Sequence, residues 1–219
     1  MHEVARAIAV AGLLVGCHTS DPGGPDATSM GDAATSGGIS VGWAATPTIG
    51  ATGGDGPTVE AASFHFDDLR VIGDAGPNDP RTHADDFTLD WVSPQVKTFP
   101  NAPPGTYSQL SLSLESDDGA SAFTLSGHVT VNSASHAYTI TGSSSLEVTL
   151  STFATLEPSG TLDLTVLTAF DQALTAVSFD ALCDGCASDT VLTLTQTDPQ
   201  MPAFRTALSK NITVAIVTP

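Results

Sequence analysis

The chain combines a length of 219 residues with a strongly one-sided charge. Aspartate and glutamate number 24 against six lysine and arginine residues, so the formal net charge is −18, while 41% of the residues are hydrophobic. Such a surface repels phosphate groups, because nucleic acids and anionic lipid headgroups are bound by clusters of Lys and Arg. The composition therefore argues against a nucleic-acid partner and favours divalent cations as the ions that the surface attracts.

The N-terminal stretch has the organisation of an export signal. A short polar start leads into an uncharged run from Ala7 to Val15, far shorter than the roughly 20 residues that span a bilayer. The run ends in Leu14-Val15-Gly16-Cys17, which resembles the lipobox of bacterial lipoproteins. The resemblance implies cleavage before Cys17 and lipid attachment to its sulfur. The alternatives are an ordinary signal peptide with an incidental cysteine, or a buried N-terminal strand.

The segment after the lipobox predicts a flexible tether. Residues 18–38 are rich in Gly, Ser, Thr, Ala and Asp and show no apolar periodicity. An ordered arm packed on the body is the alternative. The predicted organisation is a signal peptide at 1–16, the lipidated Cys17 with its tether at 17–38, and one folded domain at 39–219, which is large enough to bury its own core.

The cysteine count agrees with a lipid on Cys17. Three cysteines are an odd number for an exported protein, and lipidation leaves Cys183 and Cys186 as a pair. We expect these two to form a structural disulfide across a short loop. A redox pair is less favoured, because aspartates flank the motif and would raise the thiol pKa. The third alternative is half of a zinc site, which would need two further ligands that no cysteine supplies.

Period-two alternation dominates the chain from Ile39 onward and predicts an all-β fold. Val, Thr and aromatic residues fill these runs, as half-buried strands prefer, and turn residues separate them at short intervals. The spacing predicts a single antiparallel β-sandwich of about nine or ten strands, with a barrel as the alternative. The strand candidates include Ile39–Trp43, Phe87–Trp91, Leu110–Leu114, Phe123–Val131, Leu146–Leu150, Leu162–Val166, Val177 with Phe179, and Ile212–Val217.

The sequence also predicts one or two short helices, a β-bulge and a polar loop. Residues 168–174 allow one or two helical turns, and 203–210 place Phe204 and Leu208 on one helical face after Pro202. The alternation changes phase at residues 67–68, which predicts a β-bulge. Residues 73–86 are expected to form a polar loop.

Two segments carry a second resemblance. Their sequences are Phe99-Pro-Asn-Ala-Pro-Pro-Gly-Thr-Tyr-Ser-Gln-Leu110 and Phe123-Thr-Leu-Ser-Gly-His-Val129. They are similar to segments of uncharacterised bacterial lipoproteins built on prealbumin-like or carboxypeptidase-regulatory-like sandwiches. The similarity spans about residues 58–180. It implies a β-sandwich and transfers no catalytic residue.

The acidic loop is the strongest ligand candidate in the sequence. Carboxylate and amide oxygens on a flexible loop suit calcium, although their spacing differs from that of an EF-hand. The alternative is a solvated loop whose polar side chains hold local turns. The predicted ligands are Asp67, Asp74, Asn78, Asp79, Asp85 and Asp86.

Histidines and aromatic residues provide weaker candidates. His128 and His136 flank one predicted hairpin and would suit copper or zinc if they approached each other, but single strand histidines are usually structural. Trp43, Trp91 and Tyr107 would suit a sugar-stacking platform, yet a chain with 6% aromatics needs them in its core.

The motifs together predict the cellular location of the protein more firmly than its activity. We expect a non-enzymatic lipoprotein with no cofactor, anchored through Cys17 in the bacterial cell envelope, that serves as a structural or interaction module for an envelope protein. His18 after the cysteine favours the outer membrane by resemblance to enteric sorting signals. The alternatives are a calcium- or metal-binding envelope protein, and a hydrolase with an unrecognised site.

Overall fold

The computed structural model describes residues 37–51, 56–117 and 121–217. The signal peptide, the lipobox with Cys17 and nearly all of the tether lie outside the described residues. The first strand begins at Gly38, one residue before the predicted start of the folded domain.

Within the described residues the fold is mostly β, with eleven strands and three short α-helices. The strands are β1 (Gly38–Thr46), β2 (Thr58–Gly73), β3 (His83–Asp90), β4 (Lys97–Phe99), β5 (Gly105–Leu114), β6 (Phe123–Val131), β7 (Ala134–Gly142), β8 (Leu146–Leu156), β9 (Thr161–Ala169), β10 (Leu192–Leu194) and β11 (Ile212–Val217). The helices are α1 (Phe170–Leu174), α2 (Phe179–Leu182) and α3 (Met201–Lys210).

Two sheets form the sandwich. The smaller has the order β11-β9-β1-β4, and the larger has the order β10-β7-β6-β2-β5-β8, with β3 also paired to β2. The predicted all-β sandwich is therefore confirmed. Most pairs are antiparallel, but β1 runs parallel to β9 and β10 runs parallel to β7. Parallel partners need a long crossover; strands β2 to β8 lie between β1 and β9 in the chain, and β8, β9, α1 and α2 lie between β7 and β10.

The core lies between the sheets and is centred on aromatic rings. Trp43 of β1 packs against Phe66 of β2, with ring centroids 5.2 Å apart, and against Trp91 at 6.2 Å. Trp91 and Tyr107 are buried as well. The expectation that these aromatic residues belong to the core is confirmed.

Strand β2 organises the larger sheet through its length and its bulge. Its first half pairs with β6 and its second half pairs with β5, so the two strands continue one another along the same side of β2. The register with β5 shifts between Phe66 and Asp68, which confirms the predicted bulge. Strand β3 occupies the other side and begins at His83, so the polar loop is shorter than predicted.

The helical segment differs from the sequence prediction at one place. The strand predicted at Val177 and Phe179 is wrong, because Phe179 begins α2. Ser178 caps this helix, and its hydroxyl oxygen accepts a hydrogen bond from the Ala181 N–H. The predicted helices at 168–174 and 203–210 correspond to α1 and α3, and α3 buries Phe204 and Leu208.

No helix in the described part of the chain is both long enough and apolar enough to cross a bilayer.

Candidate functional site

The Cys183–Cys186 pair closes a short turn after α2. Cys183 ends the helix, and its N–H donates to the Phe179 carbonyl at 2.9 Å. Gly185 has φ +69°, a left-handed conformation that glycine adopts without steric cost, and the turn brings the two cysteine Cα atoms to 4.8 Å. The sulfurs are bonded to each other, as the sequence predicted.

A buried histidine faces this pair. His136 belongs to β7 and is only 3% exposed. Its Nε2 lies 3.9 Å from the Cys183 Sγ, and its Nδ1 lies 3.9 Å from the Cys186 Sγ. The ring therefore packs against both sulfurs, and the three potential ligand atoms lie within 4.8 Å of one another.

The surroundings of His136 determine which nitrogen carries the proton. Nδ1 lies 3.3 Å from the carbonyl oxygen of Thr190. A carbonyl oxygen only accepts hydrogen bonds, so Nδ1 is the donor and Nε2 of the neutral ring keeps its lone pair. The unprotonated nitrogen is thus the one nearest to Cys183.

Positive charge is placed elsewhere in the fold. Arg70 and Arg81 form ion pairs with aspartates, Lys97 lies 3.8 Å from the centre of the Phe87 ring, and Arg205 donates to the Ser145 carbonyl. Cys183 sits at the C-terminal end of α2, where the helix dipole disfavours a thiolate. These four side chains therefore do not supply the two sulfurs with the positive charge that a redox-active pair uses to lower a thiol pKa.

The alternation of β7 places His136 at a buried position. His136, Tyr138 and Ile140 share one phase of β7, and all three are buried. A histidine at a buried position of an alternating strand requires a polar partner. That partner, the Thr190 carbonyl, lies 54 residues away along the chain, so spacing alone does not identify it.

His128 does not join this cluster. Val129, and not His128, is paired with His136 in the register between β6 and β7, so the two histidines lie on opposite faces of the sheet. The His128 Nδ1 lies 2.7 Å from Glu60 Oε1 on the outer face. The predicted approach of the two histidines is wrong, because their positions differ in phase.

Three of the predicted calcium ligands accept hydrogen bonds from other groups of the protein. Asp74 Oδ2 accepts from the Thr106 N–H at 2.8 Å, and Asn78 Oδ1 accepts from Arg70 at 3.2 Å. Asp79 accepts from the side chain and the N–H of Arg81. The first contact ties the segment after β2 to the start of β5, and the other two hold the turn between β2 and β3.

Asp79 is the most buried of the six. It is 8% exposed, and its two oxygens accept from Arg81 Nε and Nη2 at 2.9 and 2.8 Å. Hydrogen bonding to Arg81 holds the pKa of Asp79 below its ordinary value. The carboxylate also caps the short 3-10 turn Pro80–Thr82.

The other three predicted ligands lie on the paired strands β2 and β3. The register places Asp85 opposite Asp68, whose carboxylate contacts both Arg70 and His83 at 2.7 Å. Asp67 and Asp86 flank that pair and are exposed. The chain after the turn thus returns beside residues 67–68 of β2.

One predicted ligand belongs to a second group of three. Asp86 Oδ1 lies 3.8 Å from the His65 Nε2, and Asp117 completes the group. Asp86 and Asp117 are exposed. The six predicted ligands are thus spread over the turn and two strands, and calcium binding by them stays a prediction.

A cleft of about 320 Å³ lies beside α1 and α2. Its lining includes Asp171, Ser178 and Asp180. The Ser178 hydroxyl caps α2, which is a structural role. A hydrolase active site could lie in this cleft, but the described residues that line it do not include a nucleophile in contact with a base.

The chain matches no protein-family model, no curated protein and no solved structure. The resemblances to lipobox signals and to lipoprotein sandwiches therefore stay predictions.

Proposed function

We propose that this chain is a lipid-anchored protein of the bacterial cell envelope, held through Cys17, whose β-sandwich acts as a non-enzymatic interaction module. The observation that carries the proposal is the pairing of Cys183 with Cys186, read together with the lipobox-like sequence that ends at Cys17.

The disulfide accounts for two of the three cysteines. Neither Cys183 nor Cys186 is then available to Cys17, which follows an apolar run of signal-peptide length. Two or three acyl chains on one cysteine anchor a protein stably, since each buried methylene contributes about 0.8 kcal/mol. A lipid on Cys17 is consistent with this division of the cysteines.

The character of the sandwich supports a binding role over catalysis. Its buried aromatic residues build the core, and Asp74 and Asp79 hold turns. The charge that the chain carries is mainly negative, with a net value of −18. A basic or neutral face of another envelope protein is the partner that such a surface favours.

Metabolic labelling with palmitate in a bacterial host tests the anchor. The wild-type chain is expected to incorporate label and to fractionate with the outer membrane, whereas Cys17→Ala loses both properties. The matched control is the double variant Cys183→Ser/Cys186→Ser, which removes the body cysteines and should keep the label. Equal labelling of the wild type and Cys17→Ala would refute the proposal.

A further inference from the structure

We propose that Cys183, Cys186 and His136 form a binding site for a thiophilic d10 metal ion, zinc or cuprous copper, when their disulfide is reduced. The site is separate from Cys17, and the proposal does not depend on the lipid anchor.

The ligand types are the first argument. Two cysteines in a Cys-x-x-Cys turn and one histidine are the donors that zinc and cuprous copper prefer over hard oxygen ligands. The third ligand comes from a different strand, so the fold and not the local sequence completes the set.

Distances are the second argument. A tetrahedral zinc ion with ordinary bond lengths separates a nitrogen and a sulfur ligand by about 3.6 Å and two sulfurs by about 3.8 Å. The His136 Nε2 already lies 3.9 Å from the Cys183 Sγ. The Cys186 Sγ lies 3.9 Å from the other ring nitrogen, Nδ1, so metal binding requires the Cys186 side chain to turn toward Nε2, which breaking the S–S bond allows.

The orientation of His136 is the third argument. Histidines that bind metals nearly always donate their second ring N–H to a carbonyl or a carboxylate, which fixes the tautomer. His136 donates Nδ1–H to the Thr190 carbonyl and leaves Nε2 free for a metal.

Charge is the fourth argument. Reduction creates two thiols, while the side chains of Arg70, Arg81, Lys97 and Arg205 contact other groups. The aspartates at 180 and 184 add negative charge nearby in the sequence. A bound cation is therefore the most direct way to stabilise two thiolates there.

A dithiol is the reductant that opens the Cys183–Cys186 disulfide. The dithiol gives two electrons and two protons to the sulfurs and becomes a disulfide itself, while the Cys183–Cys186 bond breaks. Zinc then replaces the two thiol protons, which pass to solvent, and His136 Nε2 donates its lone pair. Three protein ligands leave one tetrahedral position for water, reached past the partly exposed Cys186.

The test uses the full chain carrying Cys17→Ser, so that the only thiols are those of the pair. After anaerobic reduction and removal of the dithiol, zinc affinity is measured by competition with a chromophoric chelator. One zinc per reduced chain and none per oxidised chain is the expected result. His136→Gln should weaken binding by at least about tenfold.

The matched control is His128→Gln, which changes an exposed histidine on the neighbouring strand and should leave the zinc affinity unchanged. Cobalt added to the reduced chain should give a thiolate charge-transfer band and tetrahedral visible absorption. Equal zinc affinity of the oxidised and reduced chains, no binding by the reduced chain, or equal affinity of His136→Gln and the parent would each overturn the proposal.

Circular dichroism of the oxidised His136→Gln variant shows whether it folds. If it does not fold, X-ray absorption of the zinc-loaded parent decides the question. Two sulfur ligands with imidazole scattering support the site, and a spectrum without imidazole scattering overturns it.

Discussion

Tyr138 donates its phenolic hydroxyl to the carbonyl oxygen of Thr58 at 2.8 Å, although an intervening strand separates the two residues. Tyr138 belongs to β7 and Thr58 begins β2, and Gly127 of β6 lies between them. Because Gly127 has no side chain, the tyrosine ring crosses over it. Burial raises the pKa of Tyr138, so the hydroxyl remains a donor throughout the physiological pH range.

Replacing Tyr138 with Phe is expected to lower the free energy of unfolding by about 1 kcal/mol, because the hydrogen bond to Thr58 is lost. Urea denaturation measures this as a lower midpoint with an unchanged slope. An unchanged midpoint would show that the bond contributes nothing to stability.

Gly127→Ala is expected to destabilise the fold by about 1–3 kcal/mol, because the added Cβ would overlap the Thr58 carbonyl and approach the Tyr138 hydroxyl. The control is Gly42→Ala in β1, where the nearest atoms lie at an ordinary contact distance of 3.8 Å. Thermal unfolding should separate the two variants. Equal melting temperatures would contradict the close packing of β6 between its neighbours.

Phe153→Gly is expected to stabilise the protein by about 0.5–1 kcal/mol. Phe153 lies at a bulge of β8 with φ +60° and is 78% exposed, so the change relieves a left-handed conformation without removing buried surface. Phe153→Ala keeps the Cβ and should show no such gain. A gain of equal size in both variants would assign the effect to the exposed ring.

Asp79 predicts a specific pH dependence. Its pKa is lowered in the folded state, so its contribution is full above the unfolded value of about 3.9 and is lost as the pH falls through the lower folded value. Asp79→Asn should cost about 1–2 kcal/mol at pH 7. Urea unfolding should show the difference from wild type shrinking at pH 3, whereas the exposed Asp67→Asn serves as a control with little effect at either pH.

Cys183→Ser/Cys186→Ser is expected to lower stability by about 2 kcal/mol, because the disulfide closes a loop of only four residues. Urea midpoints of this variant and of the reduced wild type, both without metal, should coincide. A loss larger than about 4 kcal/mol would mean that the pair supports more than its own turn.

The fold was predictable because alternation is a local property. Strands such as β6 and β7 bury every second residue, and that pattern can be read without knowing the partner strand. The parallel pairing of β1 with β9 was not predictable, because it joins segments more than 100 residues apart. The sequence predicts a strand in place of helix α2 because Val177 and Phe179 lie two residues apart, as in a strand. The residue between them, Ser178, is the N-cap of the helix.

The candidate site also has one part that the sequence predicts and one part that it does not. The Cys183–Cys186 pair follows from a short spacing and a count of cysteines, both of which are visible in the sequence. The contribution of His136 depends on the turn after α2 packing against β7, which no spacing records. Likewise, the acidic loop was recognised from composition, but the pairing of Asp79 with Arg81 needed the structure.

The parallel ladder between β1 and β9 has a mechanical consequence. Nine consecutive residue pairs, from Gly38 with Thr161 to Thr46 with Ala169, join the first described strand to the middle of its sheet. A force applied to Gly38 along the strand axis acts on all of these hydrogen bonds together in shear and does not peel them one by one. If the protein were attached to a surface through its N-terminal end, the β1–β9 ladder, its longest parallel strand pairing, would resist a force that pulls on the folded domain.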